Sequence, residues 1–274
     1  MNKLPRSRQA QVISALVEGN SINSTVRMTG VAKHTVLKLL VDIGEASLEY
    51  QEKTLRNLPC RRLECDEIWS FVAMKEKNVP EGLKGTFGIG DVWTWTAIDA
   101  ETRLVPCWHV GGRNAEDAYE FMNDLSSRLS KRVQLTTDGL KTYLNAIEDA
   151  FANQIDYAML VKLYGKAPEG EIRYSPSECI GTRTEIISGT PDKNHISTSY
   201  VERQNLTMRM SMQRFTRLTN GFSKKVENHM HMISLHFMHY NFARIHKTLR
   251  VTPAMEAGIA NHVWTIEKIL SLLD

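Results

Sequence analysis

Three acidic residues occur in local contexts that suit a carboxylate with a binding partner: Asp66, Asp138 and Glu202. Asp66 lies in LECDEIWSF, an apolar and aromatic stretch with the composition of a strand. Asp138 ends a second strand-like stretch just before a glycine, and Glu202 opens a segment with the pattern of a helix. Hard divalent cations prefer oxygen ligands, and paired cations can break and rejoin phosphodiester bonds. The three carboxylates therefore predict a site for two divalent cations.

The two strand carboxylates each have an ordinary alternative role. Asp66 could face solvent from an edge strand, but its aromatic neighbours indicate burial, and a buried carboxylate without a partner is costly. A metal ligand is therefore the favoured interpretation of Asp66. Glu67 is expected to point to the opposite face, because strand side chains alternate, and it is left out of the predicted site. Asp138 could instead cap the following helix, a role that uses the same exposed position at the end of a strand.

Glu202 has the strongest structural alternative. Ser199 and Glu202 have the spacing of a capping box, in which the glutamate bonds back to the start of its own helix. Asn205 and Arg209 follow at i+3 and i+7 and share the helix face of Glu202. Donors at these positions would suit a phosphate bound beside the cations, and this favours a role for Glu202 in the site.

Charge is distributed unevenly along the chain. Residues 1–62 carry ten Lys/Arg and five Asp/Glu, a net of +5, and residues 63–202 carry fourteen and twenty-two, a net of −8. Residues 203–250 carry nine and one, a net of +8. An acidic centre between two basic segments predicts a metal site flanked by surfaces that bind a polyanion. The alternative is uneven surface charge without a partner.

The first fifty residues predict a small all-α domain of three helices, with a Gly30 turn before the third. This order is typical of a helix-turn-helix DNA-binding unit, whose last helix enters the major groove. The alternative is a plain three-helix bundle. The candidate DNA contacts of the third helix are Lys33, His34, Thr35 and Lys38. Residues 51–62 are polar and basic and predict a linker.

From residue 63 onward the pattern predicts an α/β domain. Three strand-like segments precede alternating strands and helices, which is the element order of an RNase H-like fold. We expect a mixed five-stranded sheet with flanking helices over residues 63–250. A loop-rich insertion is expected near 164–197, and a C-terminal helical tail over 251–274.

The basic segment supplies further candidate phosphate contacts, and two histidines are candidates for supporting the site or touching DNA. The predicted phosphate contacts are Arg203, Asn205, Arg209, Arg214, Lys224 and Lys225, and the two histidines are His236 and His246. A zinc site is disfavoured, because the four cysteines form no C-x-x-C pair and the spacing of matching ligands is missing.

Four motifs in this order resemble those of insertion sequence 1 family DDE transposases. They are CDEIWSF, the strand-ending TDG, YVERQNLTMR, and the tail YNFARIHKTLRVTPAMEAG, which together cover most of residues 63–258. The resemblance implies that Asp66, Asp138 and Glu202 correspond to a catalytic triad. Family members often carry a zinc finger ahead of the helix-turn-helix, and the cysteine pattern for one does not occur here.

The resemblance also implies an activity: cleavage of DNA at the ends of an insertion element and joining of the freed 3′-OH to target DNA. Two Mg²⁺ or Mn²⁺ ions per site would be used. The expected partners are double-stranded DNA, namely terminal inverted repeats and target DNA, and a second copy of the chain in a homodimer or larger oligomer. We expect a cytoplasmic protein without a membrane partner. Two alternatives stay open: a domesticated, non-catalytic DNA-binding regulator, and an RNase H-like nuclease without strand transfer.

Overall fold

A computed structural model describes residues 4–165, 179–216 and 220–274. The helices are α1 Arg6–Val17, α2 Ile22–Thr29, α3 Lys33–Thr54, α4 Ala115–Arg128, α5 Thr142–Phe151, α6 Ser199–Ser211, α7 Val226–Met238, α8 Pro253–Glu256 and α9 Ile266–Leu270. A π-helical turn, His239–Ala243, continues α7. The strands are β1 Arg62–Val72, β2 Gly90–Asp99, β3 Trp108–Gly111, β4 Val133–Thr137, β5 Ile155–Tyr164 and β6 Cys179–Ser188.

The described strands form one mixed sheet in the order β3-β2-β1-β4-β5-β6. The β2–β1 and β3–β2 pairs are antiparallel, whereas β1, β4 and β5 run parallel to one another. β1 lies in the interior of the sheet and is buried along most of its length, as its apolar and aromatic composition predicts. The predicted mixed α/β class with flanking helices is therefore confirmed.

The predicted number of five strands is wrong, because β6 pairs antiparallel with β5 and adds a sixth. β6 comes from the segment near 164–197 that was predicted as a loop-rich insertion. RTEIISG within this segment is strand-like, but every side chain of β6 is exposed or half-buried, so no apolar face distinguished it from a loop. Residues 166–178 of that predicted insertion lie outside the described residues.

Alternation along the strands gives the sheet two differently covered faces. Trp95 of β2 contacts Phe121 of α4 and Tyr143 of α5, with ring centroids 6.0 and 5.3 Å apart. On the other face Trp108 of β3 packs against Phe237 of α7, with centroids 4.8 Å apart. α6 lies on this second face, against β1 and β2. The two faces therefore present α4 and α5 on one side and α6 and α7 on the other.

The N-terminal helices follow the predicted order. Ser21 caps α2 by accepting a hydrogen bond from the backbone of Ser24 at 3.1 Å. Gly30 ends α2 in the left-handed region at φ +66°, where glycine carries no Cβ penalty.

α3 is longer than the three-helix prediction required. It continues to Thr54 and packs along α7. Leu55, Leu58 and Cys60, which follow it, are buried. The segment 51–62 that was predicted as a linker is therefore packed against the core by apolar residues spaced through a polar stretch.

Gly44 lets α3 and α7 approach closely. A Cβ built on Gly44 would lie 2.6 Å from the carbonyl oxygen of His231 and 2.8 Å from its Cα. Both are backbone atoms of α7, so they cannot move aside without shifting that helix. We expect Gly44→Ala to destabilise the protein by about 2 kcal/mol, since the overpacking outweighs the better helix propensity of alanine.

Denaturant-induced unfolding measures the loss of stability in Gly44→Ala. Gly82→Ala is the matched control, because a Cβ at Gly82 meets nothing within 4 Å. Equal stability of the two variants would contradict the close helix contact.

The apolar residues of the described chain form one continuous core. It runs from Val12 and Ile13 in α1, through the sheet, to Ile269 and Leu270 in α9. α1 is also tied to the C-terminus, because Arg6 donates to the Leu270 carbonyl oxygen at 2.9 Å. Among the described residues, no helix combines the length and the apolar character needed to cross a bilayer.

Candidate functional site

The site lies where β4 ends beside the middle of β1. The parallel register pairs Cys65 with Thr137, so Asp66 and Asp138 are the next residues along the two chains. Carboxyl ends of parallel strands are where α/β proteins place their chemistry. One carboxylate oxygen each from Asp66, Glu67 and Asp138 lies within 4.8 Å of the others. We call these three residues the carboxylate cluster.

Glu67 is a member that the sequence prediction left out. Its backbone pairs with Trp95, on the face that carries α4 and α5, so the predicted alternation with Asp66 holds. The prediction did not take into account how far the Glu67 side chain extends. Because pairing with β4 stops at Cys65 and Thr137, the edge of β1 is open beside Glu67, and its longer side chain reaches the cluster. The adjacent Asp-Glu pair in the strand was the available signal.

Burial and mutual repulsion disfavour the charged forms of this cluster. Burial, followed by the nearby charge of Asp138, raises the pKa of Asp66 to about 7. The same two causes raise the pKa of Glu67 to about 8. A hydrogen bond with the buried Tyr143 hydroxyl lowers the pKa of Glu67 in part, and burial outweighs it. The cluster therefore holds negative charge, disfavoured by burial, that a cation would neutralise.

Arg113 supplies positive charge at one side of the cluster. Its Nε donates to Oε2 of Glu67 at 3.1 Å, and its Nη2 lies 3.8 Å from Oδ2 of Asp138. The guanidinium lies over the ring of Trp93, 4.7 Å from the centroid. Arg113 thus orients two of the three carboxylates from the loop after β3.

Glu202 lies near the cluster without joining it. Its Oε2 accepts from Nζ of Lys162 on β5 at 2.5 Å, and its Oε1 accepts from the hydroxyl of Thr198. The charge of Glu202 raises the pKa of Asp66, and the charge of Lys162 lowers it, so both groups lie close enough to act on Asp66. Lys162 was missed because a single lysine in a strand carries no distinguishing pattern.

The capping box suggested by Ser199 and Glu202 is not formed. The first free N–H groups of α6, those of Tyr200 and Val201, instead donate to Oε2 of Glu64 at 2.7 and 3.1 Å. Burial raises the pKa of Glu64 to about 7. A carboxylate from β1 thus caps α6 in place of Glu202, whose oxygens accept from Lys162 and Thr198 instead.

Asn205 forms a second tie between α6 and β1. It is buried, and its Nδ2 donates to Oδ2 of Asp66 at 2.8 Å. Oδ1 of Asp66 accepts from the backbone N–H of Glu67 at 2.8 Å. This corrects the predicted phosphate contact for Asn205, because its amide donor is engaged in orienting Asp66.

The predicted helix-turn-helix contacts lie together at the start of α3. Lys33, His34 and Lys38 are exposed, and Thr35 is half-buried. Lys38 is paired with Asp42 one turn later, at 2.9 Å. The structure therefore offers these side chains to solvent on one end of α3.

The other predicted phosphate contacts are scattered. Arg203, Lys224 and Lys225 are exposed, and Arg209 is half-buried. Arg214 is different, because its Nη1 donates to Oγ of Ser223 at 3.0 Å and to the carbonyl oxygen of Asn228. These internal bonds correct its predicted role as a surface phosphate contact.

The two predicted histidines make no hydrogen bond or ion pair to the carboxylate cluster in the described structure. His236 is buried and stacks on Tyr240, with centroids 6.3 Å apart, and burial lowers its pKa to about 3. His246 bonds to Thr248 through Nδ1 at 3.0 Å. Neither histidine therefore supports the carboxylate cluster through such a bond, and the alternative prediction of a DNA contact stays a prediction.

The donor set of the cluster fits a hard divalent cation. All three potential ligands are carboxylates, and two of them have raised pKa values. Asp66, Glu67 and Asp138 could hold a cation as they stand. Glu202 would join them only after exchanging the ammonium of Lys162.

No protein-family model matches the chain, and no curated protein matches it. Solved structures of low similarity were found. A Mos1 mariner paired-end complex with Mn is 14% identical, with a TM-score of 0.25, over 57% of this chain and 60% of that one. A piggyBac transposase synaptic complex with hairpin DNA is 12% identical, with a TM-score of 0.41, over 98% and 69%. A pre-cleavage Mos1 transpososome is 10% identical, with a TM-score of 0.29, over 87% and 78%.

The chain spans only 60% of the length of that paired-end complex protein. TM-scores this low assign neither fold nor activity.

Proposed function

We propose that this chain is a DNA transposase of the insertion sequence 1 type, with an RNase H-like catalytic domain over residues 63–250. It would cut phosphodiester bonds at the ends of its element and join the 3′-OH to target DNA. The observation that carries the proposal is the convergence of Asp66, Glu67 and Asp138, with Glu202 beside them on α6. The strand order β3-β2-β1-β4-β5, with the carboxylates on β1 and after β4, supports the RNase H-like assignment.

The catalytic residues would be Asp66, Asp138 and Glu202, with Glu67 as an additional ligand. Two Mg²⁺ or Mn²⁺ ions, when bound by these carboxylates, would supply a water of lowered pKa and neutralise charge at the leaving oxygen. Arg113 and Asn205 hold the carboxylates in place.

The remaining parts of the chain have roles in DNA binding under this proposal. Residues 1–50 would act as a helix-turn-helix unit, with Lys33, His34, Thr35 and Lys38 at the major groove. Arg203, Arg209, Lys224 and Lys225 would hold backbone phosphates, and such contacts give affinity and salt sensitivity rather than sequence choice.

Joining two ends requires at least two copies of the chain, so the active form would be a homodimer or larger. The C-terminal residues 251–274 would serve to hold α1 in place, through contacts such as that of Arg6 with the Leu270 carbonyl oxygen.

A joining assay tests the function. The protein is incubated with Mg²⁺ or Mn²⁺, supercoiled plasmid, and labelled duplexes that carry the DNA flanking its own gene. We expect label to become covalently joined to plasmid, with no product in EDTA. Nicks without joined label would support the RNase H-like nuclease instead. Binding without nicks or joining would support the non-catalytic regulator.

A further inference from the structure

A cavity with several basic residues in its wall lies against the face of α6 that carries Tyr200, Arg203, Gln204 and Thr207. It has a volume of about 540 Å³ and is enclosed by α6, the turn after β2, and the residues that follow the π-helical turn. We call it the arginine pocket, and its principal lining residues are Arg103, Arg203, Gln204, Tyr240, Arg244 and His246. None of the carboxylates of the metal site lines it.

The arginine pocket concentrates unpaired positive charge. Arg103, Arg203 and Arg244 form no ion pair within the described residues, and no acidic residue is among the described residues that line the cavity. Lys247 adds a fourth cation. Glu64 interacts electrostatically with Arg103, and Glu18 lines a neighbouring cavity with Arg203 and Arg244, but neither carboxylate forms an ion pair with these arginines among the described residues. The three guanidinium groups that line one cavity therefore favour an anionic ligand.

The electrostatic environment of His246 agrees with this geometry. Burial lowers the pKa of His246, and the charges of Arg103, Arg244 and Arg203 lower it further. The positive field of the three guanidinium groups therefore reaches the wall of the cavity. A neutral His246 can accept or donate one hydrogen bond there without adding charge.

Arg103 is held in place before any ligand arrives. Its backbone adopts a left-handed conformation at φ +62°, an uncommon one for a residue other than glycine. Its guanidinium lies 3.5 Å from the ring centroid of Tyr200. Nη1 of Arg103 is buried without a hydrogen-bond partner in the described structure. A strained backbone and a stacked head group with a free donor are typical of a prepared binding position.

Gln204 supplies an independent indication of a binding position. It is 2% exposed, it lines the cavity, and its Nε2 is buried with no hydrogen-bond partner among the described residues. A buried amide donor without an acceptor destabilises a protein unless a ligand or water satisfies it. The donors of Gln204 and Arg103 are thus both available to acceptor oxygens.

We propose that the arginine pocket binds a phosphate group through Arg103, Arg203, Gln204 and Arg244. Phosphate has the charge that the guanidinium groups need and enough oxygens to accept from several of them at once. The group could be a free or terminal phosphate, or a phosphodiester of a nucleic-acid strand. The site is separate from the carboxylate cluster, and the inference does not depend on the proposed transposase activity.

Binding measurements in EDTA test this site without any catalysis. Calorimetric titration would compare inorganic phosphate with two single-stranded oligonucleotides of one sequence, one with a 5′-phosphate and one with a 5′-hydroxyl. The variants are Arg244→Gln and Gln204→Met. Arg183→Gln is the control, because Arg183 lies on β6, outside the pocket, and pairs with Glu185.

We expect Arg244→Gln to weaken binding roughly tenfold, as the loss of a charge-assisted contact does, and Gln204→Met to weaken it severalfold. Gln204→Met should unfold no more easily than the wild type, because it removes an unsatisfied donor. Arg183→Gln should bind normally.

The ligands distinguish the source of the phosphate. Variant-sensitive binding of inorganic phosphate and of the 5′-phosphorylated strand identifies a free or terminal group. Variant-sensitive binding of both strands, without inorganic phosphate, identifies a phosphodiester. The proposal is overturned if the wild type binds none of the three, or if both pocket variants bind all of them as tightly as the wild type.

Discussion

Replacement of Asp66 by asparagine is expected to lower the rate of DNA nicking by roughly 10³-fold, at the upper end of what the loss of one electrostatic contact costs. Asp66 lies at the centre of the site, with Glu67 and Asp138 within 4.8 Å and Glu202 acting on its pKa. Asparagine keeps the size of the side chain and can still meet Asn205, but it lacks the negative charge that a hard cation requires.

DNA binding by Asp66→Asn should be at least as tight as that of the wild type, because the substitution removes a negative charge from a surface that faces a polyanion. Gel-shift titration measures binding, and plasmid nicking measures activity. Asp156→Asn is the matched control, since Asp156 is also an aspartate on a strand but pairs with Arg132, outside the cluster. Equal nicking by Asp66→Asn and the wild type would remove Asp66 from the catalytic site.

The metal-free protein is expected to lose stability as pH rises from about 4 to about 8. Asp66 has a pKa of about 7 in place of 3.8, and Glu67 about 8 in place of 4.5. The folded protein therefore holds protons that the unfolded chain has already released. This contribution is complete below pH 4 and is lost as pH rises through 7 and 8.

For Asp66 alone the shift of about three units corresponds to about 4 kcal/mol. Thermal unfolding in EDTA across this pH range measures the loss. At pH 8, Mg²⁺ or Mn²⁺ should raise the melting temperature, because cations that bind the folded state stabilise it. The gain should shrink in Glu67→Gln and nearly vanish in Asp66→Asn.

In EDTA at pH 8, Asp66→Asn should have a higher melting temperature than the wild type. Its free energy of unfolding should be larger by about 2 kcal/mol, since the relief of buried charge exceeds the loss of one hydrogen bond. A flat pH profile, together with no response to cations, would show that these carboxylates are not strained by burial. Asp156→Asn should keep the cation response of the wild type.

The sequence predicted the parts of the site that depend on local context. Asp66 stands out because a charged residue interrupts a buried strand, and Asp138 because it ends a strand before a glycine. The order of elements predicted a mixed α/β sheet, and the structure adds the parallel pairing of β1 with β4 that brings these two residues together. Local pattern was sufficient to single out the two aspartates, whereas the strand pairing was not predicted.

The missed features depend on where neighbouring strands stop and on contacts between distant segments. Glu67 reaches the cluster because β4 ends two residues before the position that would pair with it. Lys162 meets Glu202 across forty residues, and Glu64 caps a helix more than a hundred residues away. Neither contact has a periodicity or motif that could reveal it.

The two ties between β1 and α6 have a mechanical consequence for Glu202. Glu64 and Asp66 are two residues apart on one rigid strand, and they bind the first turn of α6 and Asn205 in its second turn. These two contacts prevent α6 from sliding along β1 or rotating about its own axis. Glu202 can therefore reach the carboxylate cluster only by changing its own rotamer, so swapping the ammonium of Lys162 for a divalent ion is a side-chain event that leaves the helix axis still.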